Sequence, residues 1–104
     1  MIHVTPKEAL ELMEKGASAI DVRTKEEYAG GHIEGAVNID IYHDSFEEEL
    51  KKLDKDKQYV VNCQSGGRSS KAVARMEELG FSSACNVAGG MNAWEEAGLP
   101  VARG

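Results

Sequence analysis

The sequence predicts an α/β fold, a five-stranded, mostly parallel sheet flanked by helices on both faces. Three observations predict it. Short apolar runs rich in β-branched residues alternate with stretches of helical spacing. Capping patterns and glycines punctuate the joints between them. The chain of 104 residues, 41% of them hydrophobic, has the size of one domain, 1–104, with enough apolar material for a core without metal or disulfide staples.

Ile2 to Val4 reads as a short edge strand. Thr5-Pro6-Lys7-Glu8 then supplies a capping threonine, a proline at the first helical position and a glutamate reaching back. Ala9, Leu10 and Met13 give that helix its apolar face, and Gly16 ends it. Ala17 to Val22 reads as a buried strand. Asp21 and Arg23 close it, read as an ion pair that fixes the following loop rather than as a substrate mouth. Thr24 to Glu27 repeats the capping box, so a short helix runs to about Tyr28 before Gly30-Gly31 stops it. Val37 to Ile41 is expected as a third strand, and Ser45-Phe46-Glu47-Glu48 as the start of a helix packed through Phe46, Leu50 and Leu53. Tyr59 to Asn62 is the fourth strand. From Ser69 onward Ala72, Val73, Met76 and Leu79 keep helical spacing up to the Gly80 cap. Ala84 to Val87 and Met91 to Ala97 complete the pattern as a strand and a helix.

The net charge of −6 argues against nucleic acid or an anionic membrane as partner, so any anion binding must be local. The mixed charges of Asp44 to Lys57 read as a solvated helix face and turn. Met1 to Pro6 has neither a basic nor an apolar leader region, which predicts a reducing cytosol and free thiols. No apolar run approaches the roughly 20 residues that cross a bilayer. His3 and His43 lack partner spacing for a metal, and neither metal nor cofactor is expected.

The chemistry concentrates in Cys63-Gln64-Ser65-Gly66-Gly67-Arg68-Ser69, between a buried strand and a helix. The first turn of a helix leaves N–H groups unpaired and carries the positive end of its dipole. Gly66 and Gly67 let the backbone curl, so amides from Gln64 to Ser69 can converge on one centre with the Cys63 sulfur at its floor. Such surroundings lower a cysteine pKa from about 8.5 to between about 3.5 and 7.5, making Cys63 a nucleophile at neutral pH. Arg68 adds a planar fork that matches an oxyanion. The set describes group transfer from an anionic substrate with the transferred group held on sulfur.

The loop resembles the Cys-x-x-Gly-x-Arg-Ser active-site loop of single-domain rhodanese-like sulfurtransferases. Asp21-Val22-Arg23, Glu27-Tyr28 and Gly31-His32-Ile33-Glu34-Gly35-Ala36-Val37-Asn38-Ile39 are similar to the family's upstream signature. Gly89-Gly90, Trp94 and Gly98-Leu99-Pro100 are similar to its C-terminal one, and Asp40 stands where the family usually has proline, at a local turn. The resemblance implies a sheet order running from Ile2–Val4 through Ala84–Val87, Tyr59–Asn62 and Ala17–Val22 to Val37–Ile41. It implies that His32 is a structural hydrogen-bonding residue of a turn rather than a general base. Cys85 then falls about three residues, roughly 10 Å, short of Cys63 along the strands, beyond the reach of a disulfide, and reads as a small core residue.

The activity implied is sulfur transfer: Cys63 attacks an anionic donor such as thiosulfate, becomes a persulfide, and passes the sulfur to a thiol or cyanide. Gln64, Ser65, Gly66, Gly67, Arg68 and Ser69 would line the substrate-binding loop. Polysulfides, or persulfides carried on other proteins, suit the same loop. Three alternatives compete. A cysteine phosphatase or arsenate reductase wants one more residue between cysteine and arginine. A non-catalytic rhodanese-like binding module would have lost the cysteine. A redox sensor would place a resolving cysteine nearby.

Overall fold

The computed structural model describes residues 1–104. In chain order the elements are β1 (Ile2–Val4), α1 (Pro6–Glu14), β2 (Ser18–Asp21), α2 (Lys25–Gly30), β3 (His32–Ile33), β4 (Val37–Asn38), α3 (Phe46–Lys51), β5 (Gln58–Asn62), α4 (Gly67–Glu78), β6 (Ser83–Val87), α5 (Gly90–Glu96) and β7 (Val101–Ala102). Five strands form one sheet in the order β1-β6-β5-β2-β4, the order the resemblance implied. Every pairing in it is parallel, so the sheet is wholly rather than mostly parallel.

Both threonine capping boxes form. The Thr5 hydroxyl accepts from the Glu8 amide while the Glu8 carboxylate accepts from the Thr5 amide, and Thr24 and Glu27 repeat the exchange. Two orphan N–H groups are satisfied at each helix start. Ser45 does not cap α3: its hydroxyl turns to Glu49 and to His43 Nδ1 instead.

Apolar layers fill both faces of the sheet. On one, Phe46 and Leu50 of α3 and Ala72, Val73 and Met76 of α4 pack on Ile20, Tyr59 and Val61. On the other, Ala9 of α1 and Met91 and Trp94 of α5 pack on Ala19, Val60, Cys85 and Val87. Cys85 pairs in register with Val60, three residues short of Cys63, and the two cysteines join opposite layers. Both thiols are free.

Two of the expected elements come out differently. The third strand stops at Asn38 instead of reaching Ile41, because the Asp40 carboxylate accepts the Tyr42 amide at 2.9 Å and turns the chain. The Ile39 and Ile41 amides still bond Asp21 O and Val22 O, so the segment stays anchored to β2. In addition, His32–Ile33, expected as a turn, pairs antiparallel with Val101–Ala102 in a second small sheet. His32 is 6% exposed, stacks on Tyr28 with ring centroids 3.7 Å apart, and bonds Tyr28 O through Nδ1 at 2.8 Å. It serves structure, as expected.

At the C-terminal end of the sheet, the first turn of α5 is pressed against the loop that follows β5. The Met91 and Asn92 amides donate to Cys63 O and Gln64 O at 2.9 and 3.1 Å. Gly90, with φ of +54°, makes this approach possible, since a Cβ there would lie 2.4 Å from Cys63 O and 2.7 Å from Gln64 C. Gly90→Ala is expected to lose about 1–3 kcal/mol of stability in urea unfolding, through overpacking against backbone that has nowhere to go. Gly16→Ala, where φ is +113° but nothing lies within 4 Å, is the control and should cost less.

Candidate active site

β5 ends at Asn62, and Cys63 follows it into the loop that opens α4, which begins at Gly67, two residues before the expected Ser69. Gly66 takes φ of +115° at the N-cap, a conformation that glycine adopts without Cβ strain. The turn brings the Gly66 amide to 3.0 Å and the Ser69 hydroxyl to 3.3 Å from Cys63 Sγ. Cys63 itself is 1% exposed, so its sulfur forms the floor of the loop.

Burial opposes ionisation of this thiol. The Ser69 hydroxyl and amide, with the Gly66 and Ser65 amides, outweigh that cost and hold the Cys63 pKa below the ordinary thiol value. Cys85 has burial without such donors, and its pKa is raised. The chain thus carries one thiol with its pKa lowered and one with its pKa raised.

The loop residues have distinct placements. Gln64 braces the loop: its Oε1 accepts from Arg23 Nη1 at 2.9 Å and its Nε2 donates to Asn92 Oδ1 at 2.6 Å. Ser65 and Gly67 are exposed at the rim. Ser69 is fully buried beneath the sulfur, its hydroxyl also meeting Gly66 O and Asn86 Oδ1. Arg68 stands at the rim, and its guanidinium carbon lies 6.0 Å from the centre of the exposed Tyr42 ring.

Two ion pairs frame the site. Asp21 and Arg23 form the expected pair at 2.8 Å, almost fully buried, and Arg23 Nη2 also donates to Gly31 O. The second pair has no counterpart among the expectations. Arg68 donates to both oxygens of Glu27, at 2.8 and 3.0 Å. Those bonds hold the Glu27 carboxyl down at about 2 against its ordinary 4.5, so it stays ionised. In the sequence Glu27 is visible as a capping residue and as part of the upstream signature, and its second task, 41 positions from Arg68, leaves no local signal.

The clefts in the surface lie away from Cys63. One of about 510 Å³ opens between Met13, Val37, Leu53 and Tyr59, at the N-terminal ends of β2 and β5. What marks the loop as the site is its donor geometry around sulfur rather than its volume.

Comparison with known proteins agrees with this geometry. Residues 5–97 match the family model described as the rhodanese-like domain. The chain is 34% identical over 103 residues to thiosulfate sulfurtransferase 16, chloroplastic, of Arabidopsis thaliana, covering 89% of this chain and 86% of that protein. It is also 34% identical over 91 residues to the thiosulfate sulfurtransferase GlpE of Pseudomonas entomophila, covering 88% and 82%. Among solved structures it superposes on a rhodanese-related protein of Thermoplasma volcanium with a TM-score of 0.88 at 33% identity, covering 98% of both chains. It superposes on the polysulfide-sulfur transferase of Wolinella succinogenes with a TM-score of 0.84 at 31% identity, covering 100% of this chain and 80% of that one. A parallel five-stranded sheet, a Cys63 loop at the head of α4 and these matches lead to one conclusion: the chain belongs to the rhodanese-like sulfurtransferase family.

Proposed function

We propose that the protein is a sulfurtransferase of the thiosulfate sulfurtransferase type whose covalent intermediate is a persulfide on Cys63. The observation that carries this reading is the pair of donors on Sγ, the Gly66 amide at 3.0 Å and the Ser69 hydroxyl at 3.3 Å, at the start of a helix. With thiosulfate, the thiolate attacks the outer sulfur, a new S–S bond forms, the donor's S–S bond breaks, and sulfite leaves with the electron pair. The terminal sulfur of the persulfide carries the negative charge, and the amides of the loop stabilise it as an oxyanion hole stabilises oxygen. Attack of cyanide or a thiolate on that sulfur then restores the Cys63 thiolate. Release of the first product before the acceptor reacts gives ping-pong kinetics.

In this reading Gln64, Ser65, Gly66, Gly67, Arg68 and Ser69 form the substrate loop, with Arg68 contacting the donor's anionic end from the rim. Polysulfide is an equally suitable donor, which the resemblance to the Wolinella succinogenes polysulfide-sulfur transferase supports. No helix is long and apolar enough to cross a membrane, and two free thiols suit a reducing, cytoplasmic setting.

Incubation with thiosulfate is expected to add one sulfur atom to the intact protein by mass spectrometry, and cyanide to remove it with release of thiocyanate. Cys63→Ser should abolish both, and Cys85→Ser should retain both. Loading by no donor, thiosulfate or polysulfide, on folded, reduced protein overturns the reading.

Arg68→Ala is expected to lower kcat/KM for thiosulfate about 10- to 150-fold, the worth of a charge-assisted contact of about 1.5–3 kcal/mol. A lysine offers a point charge in place of a fork, so Arg68→Lys should retain only part of the wild-type efficiency. Unchanged kinetics in Arg68→Ala would remove Arg68 from the site.

Alkylation of Cys63 by iodoacetamide, followed by peptide mapping, should be half-maximal below the ordinary thiol value of about 8.5, with Cys85 reacting only on unfolding. Because the folded-state pKa of Cys63 is depressed, its ionisation stabilises the fold fully above the unfolded value and this contribution is lost as pH falls through the folded one. The stability difference between wild type and Cys63→Ala should therefore widen as pH rises across that window.

A further inference from the structure

The Ser69 hydroxyl has one proton and three acceptors within reach: Cys63 Sγ at 3.3 Å, Gly66 O at 3.2 Å and Asn86 Oδ1 at the shortest distance. Which acceptor receives it decides whether Ser69 helps Cys63. A proton directed at sulfur stabilises the thiolate. A proton directed at Asn86 leaves a lone pair facing sulfur, which welcomes S–H instead.

The choice is made one strand further out. Asn86 lies on β6, is 3% exposed, and pairs in register with His3 on the edge strand β1. Its Nδ2 lies 3.0 Å from His3 Nδ1. With Nδ2 donating to that ring nitrogen, Oδ1 must face Ser69 and accept its proton. The reverse amide orientation gives Nδ2–H to the Ser69 oxygen and frees the hydroxyl proton for sulfur, but it sets Oδ1 against the same ring nitrogen and therefore requires an N–H there.

We propose that the exposed His3 is a positioning residue for Cys63, acting through the Asn86 amide and the Ser69 hydroxyl. As an acceptor, His3 draws the Ser69 proton toward Asn86 and leaves sulfur only a share of it, beside the Gly66, Ser65 and Ser69 amides. As a donor, it turns Asn86 round and releases that proton to the thiolate or to the persulfide that replaces it. In the sequence nothing links His3 and Asn86 to Ser69 of the loop, and only the parallel pairing of β1 with β6 and the packing of α4 on β6 line them up. The inference rests on Cys63 as the reactive thiol, but not on the identity of its sulfur donor.

The experiment reads ionisation of Cys63 by the pH dependence of its alkylation, so it stands even if no donor loads the protein. His3→Leu removes the acceptor, leaves Asn86 free to turn, and should move the Cys63 titration down by about half a unit to one unit, the range of one hydrogen bond. In a Ser69→Ala background the relay is cut, and His3→Leu should then move nothing. The charged groups about the loop, Arg68 with Glu27 and Arg23 with Asp21, are the same in every variant and cancel from the comparison. His3 is on the surface and its replacement leaves the core intact. If Ser69→Ala fails to fold, Asn86→Ala cuts the same relay one residue earlier. An unmoved titration in His3→Leu, an upward shift, or an equal shift after the relay is cut overturns the proposal.

Discussion

A buried thiol whose pKa is held down at the end of a strand is the constraint on which this structure turns. Cys63 is 1% exposed and continues a strand whose Tyr59, Val60 and Val61 are buried in apolar layers, where a charge is costly. Ionisation is tolerated there only because a helix begins at the same place and turns its unpaired donors on sulfur. The parallel sheet follows from that need. Parallel strands require crossovers, crossovers place helices on the faces, and each helix start lies at the C-terminal edge of the strand before it. The Cys63 loop occupies that edge.

Donors stabilise a developing charge most when they are fixed before it appears. A loop with two adjacent glycines is a poor candidate for rigidity, since glycine gives up more backbone freedom on ordering than other residues. The chain compensates by bracing the loop from outside. Amides of α5 hold Cys63 O and Gln64 O, the Gln64 side chain spans Arg23 and Asn92, and the Ser70 hydroxyl holds Gly66 O at 2.8 Å. Arg23 is fixed in turn by Asp21 and Gly31 O, so the brace reaches the centre of the fold.

Most of the main sheet was legible in the sequence because its strands are short apolar runs bounded by capping boxes and glycines. The loop was legible because its residues are contiguous, and contiguity makes chemistry visible as spacing. What escaped depends on contacts across the chain. Val101 finds His32–Ile33 only in the folded state, and Glu27 meets Arg68 only when α2 lies beside the loop. Asp40 shortened the third strand through a side chain competing for the Tyr42 amide, a local effect that apolar periodicity does not weigh. Gln64 belongs to the contiguous loop, but the bracing contacts of its amide, to Arg23 and Asn92, reach residues distant in the chain.

The Glu27–Arg68 pair also bears on how an acidic protein can accommodate an anion. With a net charge of −6, the chain repels an anionic donor at long range, and the sole cation of the loop is already matched by a carboxylate. Neither side chain is deeply buried, at 23% and 34% exposure, so solvent screens the pair and its bonds can be exchanged. The amides of the loop behave differently, because they carry no formal charge, cannot titrate and have no counterion to displace. In the proposed reaction, selectivity for a group that carries its charge on sulfur would therefore rest first on the backbone. Arg68 stands at the rim, where the remaining charge of the proposed donor would compete with Glu27 for the same fork.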